Sequence, residues 1–239
     1  MKTVAIVAKY NEQVTNLKKL LKEKGLVYDS KNPDFIISLG GDGTFLVAER
    51  KFPGIPKMLI RHSKICNKCL NKNKENLLDL IKNNKFKITE HSKIEGKVKN
   101  KKFIAINDIV VRNKFANKAL RFEISIDGKK LKEEIIGDGI VVSTVFGSTG
   151  YFKSITRKTF KKGIGLVFNN SMKYLKPLIL KDKQKIKLTV TRGVAEVAYD
   201  NEPQILYLSE GETVEVKKNK GIAKTIEIKG LEWITIKNQ

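Results

Sequence analysis

The chain is poor in several features that would each point to a class of protein. No apolar stretch is long enough to cross a bilayer. The opening Met1-Lys2-Thr3-Val4-Ala5-Ile6-Val7 has a short apolar run without a signal-peptide cleavage pattern, so it reads as a first strand. These two absences give the expectation of a cytoplasmic protein with no membrane partner. Only two cysteines are present, Cys66 and Cys69, in a lone C-x-x-C. A structural zinc site needs four ligands, and no second cysteine pair exists. The two histidines are His62, close by, and His91. No metal ligands are assigned, and the cysteines are expected to be reduced thiols. Aromatic content is 8%, without an evident stacking platform for bases. No linker, low-complexity run or internal repeat divides the sequence.

Acidic residues are also scarce against basic ones, and the net charge is +23. The excess does not form a block. Lys161-Lys162 and Lys217-Lys218 are pairs rather than tracts, which argues against a nucleic-acid role. A polyanionic small-molecule substrate would profit from the same field. With 239 residues, 41% of them hydrophobic and 31% charged, the chain can bury the core of one large domain or two small ones.

The first third alternates strand and helix patterns. Strands are predicted over Thr3 to Ala8, Asp34 to Leu39 and Lys57 to Arg61. Helices are predicted over Asn11 to Lys24, from Thr44 to Arg50, and over Lys74 to Lys82. Val14, Leu17, Leu20 and Leu21 give the first helix its apolar face, and Gly25 stops it. Strands alternating with helices imply a parallel sheet with ligands at the carboxyl ends of its strands. From about Phe86 short β patterns dominate: Phe86 to Thr89, Ile94 to Val98, Lys102 to Val111, Leu120 to Ile126 and Ile140 to Thr144. Gln184 to Thr191, Val194 to Ala198, Thr213 to Val216 and Thr225 to Ile228 continue them. Asp127-Gly128 marks a hairpin between Leu120-to-Ile126 and Lys129-to-Ile135. The expected fold is an α/β N-terminal domain, 1–85, with a parallel sheet, followed by a mostly-β C-terminal domain, 86–239. The closing residues can return to pack on the first domain.

Three stretches carry chemistry. In Ser38-Leu39-Gly40-Gly41-Asp42-Gly43-Thr44-Phe45-Leu46, three glycines surround one aspartate between a strand and a helix. Backbone N–H groups at such a junction attract phosphate, and small residues let it come close. A carboxylate in that place repels phosphate, so Asp42 points to chemistry; the plain alternative is a turn with Asp42 capping the helix. The segment has neither the Gly-Lys-Ser/Thr ending of a Walker loop nor the glycine spacing of the dinucleotide fingerprint. In Ile104-Ala105-Ile106-Asn107-Asp108-Ile109, two polar residues interrupt an apolar run. They need partners, as a ligand would supply, unless they mark a bulge or strand end. In Gly137-Asp138-Gly139 through Gly147-Ser148-Thr149-Gly150-Tyr151, a strand ends in a hydroxyl-rich loop that can hold ribose and phosphate oxygens, with Tyr151 to pack on a ring.

Gly-Gly-Asp-Gly-Thr, the Asn-acidic pair and Asp-Gly-x-x-Val-Ser-Thr-x-x-Gly-Ser-Thr-x-Tyr, in this order, resemble the NAD kinases over nearly the whole chain. The first motif is shared with diacylglycerol and sphingoid-base kinases; the third is far more specific. Lys176-Pro177-Leu178-Ile179-Leu180 is similar to the family's Arg-Pro-Leu-Val segment, and Tyr199-Asp200-Asn201-Glu202 stands where the family usually has Asp-Gly. The resemblance implies phosphorylation of the adenosine-ribose 2′-hydroxyl of NAD to give NADP, with an NAD kinase/diacylglycerol kinase-like fold. It makes Asp42 the catalytic carboxylate and gives Gly40, Gly41, Gly43 and Thr44 the phosphate loop. NAD falls to Asn107, Asp108, Asp138, Thr149, Gly150, Tyr151 and Ser154, with Asp200 as a further candidate; Arg61, from its position alone, is a candidate for the positive field around the donor's triphosphate. It implies ATP or polyphosphate as donor, a divalent metal such as Mg²⁺, and a homodimer or homotetramer.

Departures are Asp108 for the common Glu, Gly150 for Ala, and Ile155-Thr156-Arg157-Lys158 for a glycine-rich stretch. Ile60 to Leu70 has no glycine where the family has Asn-x-Gly-x-Leu-Gly-Phe-Leu. Two other functions remain open on the residues: a non-catalytic NAD or NADP binder of the same fold, and a lipid-type kinase sharing the glycine loop.

Overall fold

The computed structural model describes residues 2–61, 69–70, 73–131 and 133–228. In chain order its elements are β1 (Thr3–Ala8), α1 (Asn11–Glu23), β2 (Val27–Tyr28), β3 (Phe35–Gly40), α2 (Asp42–Lys51), β4 (Lys57–Arg61) and α3 (Lys74–Lys82). Then follow β5 (Lys87–Val98), β6 (Lys101–Ala105), β7 (Asp108–Asn113), β8 (Leu120–Ile126), β9 (Lys129–Lys130), β10 (Ile135–Gly137), β11 (Gly139–Ser143) and α4 (Tyr151–Thr156). The chain continues through β12 (Ile164–Asn169), β13 (Leu178–Leu180), β14 (Ile186–Arg192), β15 (Ala195–Tyr199), β16 (Leu206–Leu208) and β17 (Thr213–Glu227). Two compact units result: one holds the chain up to His91 and again from Ile222, the other Ser92–Gly221.

The first unit is a parallel sheet in the order β2-β1-β3-β4 with the end of β17 beside β4. Every residue of β3 is buried, as expected of a central strand covered on both faces. Leu17 and Leu21 of α1 and Leu77, Leu78 and Ile81 of α3 cover one side, packing with Leu39, Met58 and Ile60. Ala48 of α2 packs with Ala5, Val7 and Ile36. Gly25, at φ +71°, follows α1, where a left-handed residue ends the helix and takes up its last carbonyls.

The second unit holds a six-stranded antiparallel sheet, β13-β12-β11-β7-β15-β16, and a second sheet built on β10-β8-β14-β17. Alternate residues of both sheets, among them Ile109, Val111, Ile140 and Val142 from one and Phe122, Ile124, Leu188 and Val190 from the other, form one buried cluster. This is the period-2 pattern of sheets that each bury one face.

β1, β4, α3 and β8 have the bounds the sequence predicts, and the fold class is the expected one. Several local expectations need correction: Phe86 to Thr89 and Ile94 to Val98 join in the single strand β5, and Thr213 to Val216 and Thr225 to Ile228 join in β17. α2 starts at Asp42, two residues before Thr44. Asp127 and Gly128 do turn, with φ +52° and +79°, as a type I′ hairpin requires. The returning strand, however, is only β9, and β10 is separate. Lys102 to Val111 is not continuous: it breaks between β6 and β7 because the N–H groups of Ile106 and Asn107 go to a carboxylate instead of a neighbouring strand. Cys69 is buried and disulfide-bonded rather than a reduced thiol, while Cys66 and His62 lie outside the described residues.

Candidate active site

The glycine loop stands at the carboxyl end of the first unit's sheet. Gly40 closes β3, Gly41 is the N-cap of α2, and Asp42 is its first helical residue. The N-cap position is taken by Gly41, so Asp42 does not occupy it. A Cβ on Gly40 would lie 2.1 Å from Thr44 Oγ1, because the Thr44 side chain folds back over the bare Cα. Phe45 and Leu46, both buried, hold the first turn down onto the sheet. Burial of two such side chains stabilises the turn by about 1.5–3 kcal/mol each. Asp42 is half-buried and Gly43 exposed, so the carboxylate sits at the rim of a helix N-terminus whose dipole favours negative charge. Arg61 pairs in register with Gly40 across β3 and β4 and places a guanidinium-bearing residue at the same sheet end.

A feature that sequence reading missed lies behind α2. Lys57 is fully buried, with its ammonium donating to Glu49 Oε2 and to the Phe52 carbonyl, while Glu49 Oε1 accepts from the Gly54 N–H at 3.0 Å. A buried ion pair with its other hydrogen bonds made is costly to break on one side, by about 3–5 kcal/mol. It fixes the far end of the helix that carries Asp42.

In the second unit the Asn-Asp pair is held by its backbone. Asp200, at φ +47°, accepts the Ile106 N–H at 2.9 Å and the Asn107 N–H at 2.7 Å, and returns its own N–H to the Asp108 carbonyl at 3.0 Å. Tyr199 beside it stacks on Phe103 with ring centroids 4.4 Å apart. From the other side the Thr144 N–H donates to the Asn107 carbonyl at 2.9 Å, and the Thr144 hydroxyl donates to the Ile106 carbonyl. That hydroxyl in turn accepts the Gly147 N–H at 3.0 Å. A Cβ on Gly147 would be 2.1 Å from the Asn107 carbonyl oxygen, so only glycine lets the Gly-Ser-Thr turn lie against this strand end. The second and third motifs are therefore one hydrogen-bonded structure. Asn107 Oδ1 is buried and has no hydrogen-bond partner among the described residues. A buried acceptor left in that state costs about 1–3 kcal/mol, and a donor on a bound ligand would relieve it.

Asp138, half-buried, lies between β10 and β11 and accepts from Asn170 Nδ2 at 2.8 Å. Thr149 and Gly150 are exposed at the start of α4. Tyr151 is partly exposed, its hydroxyl accepting from Asn169 Nδ2 at 3.3 Å, and Ser154 donates to the Tyr151 carbonyl at 2.8 Å. On the opposite face of α4, Phe152, Ile155 and Thr156 join Phe160, Lys158 and Lys176 in lining a cavity of about 870 Å³. The first unit thus gathers Gly40, Gly41, Asp42, Gly43, Thr44 and Arg61. The second gathers Asn107, Asp108 and Asp200 against Gly147, and brings Asp138 and Tyr151 to adjacent asparagines. Among the described residues no three His, Cys, Asp or Glu side chains come together as a metal site. The described residues therefore form no metal cage.

A family model of the ATP-NAD kinase C-terminal domain matches residues 106–228, just over half of the chain. The chain belongs to the NAD kinase family. The match begins at the strand end held by Asp200 and ends with the described residues. Among curated members of the family, the NAD kinase of Ruminiclostridium cellulolyticum is 31% identical over 225 residues, covering 86% of this chain and 77% of that one. NAD kinase 2 of Bacillus subtilis is 28% identical over 241 residues, 92% of this chain and 88% of that one. The NAD kinase of Lactobacillus delbrueckii subsp. bulgaricus is 31% identical over 168 residues, and this match spans 62% of its length. Two solved structures share the fold. An NAD kinase from Archaeoglobus fulgidus in complex with ATP superposes with a TM-score of 0.79 at 20% identity, covering 95% of this chain and 94% of that one. Yeast NADH kinase complexed with NADH gives 0.84 at 17%, covering 98% and 85%.

Proposed function

We propose that this family member phosphorylates the adenosine-ribose 2′-hydroxyl of NAD, giving NADP. The observation that carries the reading is the Asn107 strand end. Its backbone is pinned from both sides by Asp200 and Thr144, while its side-chain oxygen is left buried without a donor. A ribose hydroxyl or an adenine amino group is such a donor. Asn107, Asp108, Thr149, Gly150, Tyr151 and Ser154 take the adenosine side of the dinucleotide in this reading, and Asp138 the nicotinamide side. Asp200 holds the Asn107 backbone rather than the ligand.

Phosphoryl transfer asks the protein for position and charge complementarity more than for covalent chemistry. The turn from Gly40 to Gly43 sets the start of α2, whose positive dipole end favours the donor phosphates. Arg61, at the same sheet end, adds positive charge. Asp42 accepts the proton of the 2′-hydroxyl as the hydroxyl oxygen attacks the donor's terminal phosphorus and the bridging P–O bond breaks, the shortened donor (ADP from ATP) leaving with the bond's electrons. The donor is ATP or inorganic polyphosphate, and a divalent cation such as Mg²⁺ would supply charge neutralisation of its phosphates. The family likeness also supports a homodimer or homotetramer, which light scattering measures. The deciding experiment supplies purified protein with NAD and with ATP or polyphosphate in separate reactions and detects NADP. Protein that binds NAD yet forms no NADP with either donor would refute the assignment.

A further inference from the structure

We propose that Asn170 is a positioning residue for the dinucleotide reaction, acting through Asp138; the inference rests on the NAD-binding role given to Asp138 above. The backbone of Asp138 is fixed by two strands. Its N–H donates to the Asn169 carbonyl at 2.9 Å, and its carbonyl accepts from the Asn113 N–H at 2.8 Å. Backbone bonds leave the side-chain torsions of an aspartate unset. Asn170 sets them, with Nδ2 donating to Asp138 Oδ2 at 2.8 Å. It does so from φ +45°, a left-handed conformation that asparagine adopts more readily than other side-chain-bearing residues. The preceding residue grips Tyr151 through Asn169 Nδ2 at 3.3 Å. One two-residue step at the end of β12 thus orients the acid assigned to one side of the ligand and the phenol assigned to the other.

The choice of donor matters in a chain with 48 lysines and arginines. A cation in place of Asn170 would draw the carboxylate into an ion pair and compete with the ligand for it. A carboxamide donates one hydrogen bond, holds the rotamer, and leaves the negative charge for a ligand hydroxyl or amide. Freezing one side chain in its bound rotamer improves binding by about threefold to tenfold.

Asn170→Gly removes the donor, and glycine accepts the positive φ. The expected result is a KM for NAD raised about threefold to tenfold, with kcat, KM for ATP and melting temperature unchanged. Asn170→Asp, which sets carboxylate against carboxylate, raises that KM further. In an Asp138→Ala background, Asn170→Gly has no additional effect, because the group through which it acts is gone. An unchanged KM in Asn170→Gly overturns the proposal. So do a parallel rise in KM for ATP with a lowered melting temperature, and full additivity with Asp138→Ala. Titration calorimetry with NAD separates this inference from the activity assignment. A wild-type protein that binds NAD without forming NADP, while Asn170→Gly binds more weakly, keeps the positioning role and removes the kinase reading. A wild-type protein that does not bind NAD removes both.

Discussion

The two units hold their candidate residues in opposite ways. In the first, one local device does most of the work: a buried parallel strand runs into a helix, and the bend between them places Asp42 at the helix's first residue. In the second, no single element is enough. Asn107 keeps its place through bonds to Asp200 and Thr144, which lie 93 and 37 positions away in the sequence. A strand-to-helix junction is fixed by what is adjacent in sequence. A strand end in an antiparallel sandwich must borrow its rigidity from residues far along the chain. In the proposed reading, reaction chemistry sits on the local device and recognition on the distributed one.

Substitutions can break that division. The largest effect is expected from Asp42→Asn, which removes the proton acceptor and keeps the shape. It should lower kcat by about 10²–10⁴-fold while NAD binding, read by calorimetry, stays close to wild type. A variant with near wild-type turnover would show that chemistry does not reside in the first unit. Next comes Asp200→Ala. It strips the acceptor from the N–H groups of Ile106 and Asn107 and should cost about 1.5–3 kcal/mol, seen as a higher KM for NAD with kcat largely kept. A fall in kcat alone would argue that Asp200 is not a recognition element. Gly147→Ala forces a methyl group onto the Asn107 carbonyl and should destabilise the protein by about 1–3 kcal/mol in denaturant titrations, weakening NAD binding in step. Stability and affinity that moved independently would show the two motifs to be less tightly joined than their hydrogen bonds imply.

The smallest effect sharpens the comparison by testing a surface turn outside either site. Asp127 accepts the Lys185 N–H, which is the main reason its carboxyl is held below the ordinary value of 3.8, with a further bond from Gln184. A depressed folded-state pKa means that the stabilisation is present above the ordinary value and is lost as pH falls through the depressed one. Asp127→Asn, which suits the same left-handed turn, should be slightly less stable than wild type near neutral pH. The difference should fade below about pH 3.8, with activity unaffected. A gap that stayed constant to pH 2 would deny the carboxylate that role.

Much of the local half of this comparison was legible in the sequence. Apolar spacing gave α1, the apolar run before Gly40 gave β3, and Asp127-Gly128 gave its turn. Three glycines around an aspartate marked the bend that presents Asp42. The distributed half was legible only as a list of polar residues in odd places. Asn107 and Asp108 read as costly intruders in a strand. Nothing near them in sequence said that Asp200 would satisfy their backbone. Asn169 and Asn170 drew no reading, and their grip on Tyr151 and Asp138 depends on a register between strands. Lys57 read as an ordinary charged residue at a strand start, yet it is wholly buried against Glu49. α4 was missed because a six-residue helix rich in hydroxyl and aromatic side chains has little periodicity to read.

The long strand β17 has a consequence for how the protein is made. Its early residues, Val214 and Val216, belong to the core of the second unit, whereas Thr225, Ile226 and the adjoining Ile228 complete the sheet and core of the first. During translation the first unit emerges from the ribosome lacking its last strand, and must wait as an unfinished sheet until some 130 further residues have been synthesised. The β-rich unit can close before the unit that precedes it, so the order of folding is expected to run against the order of synthesis.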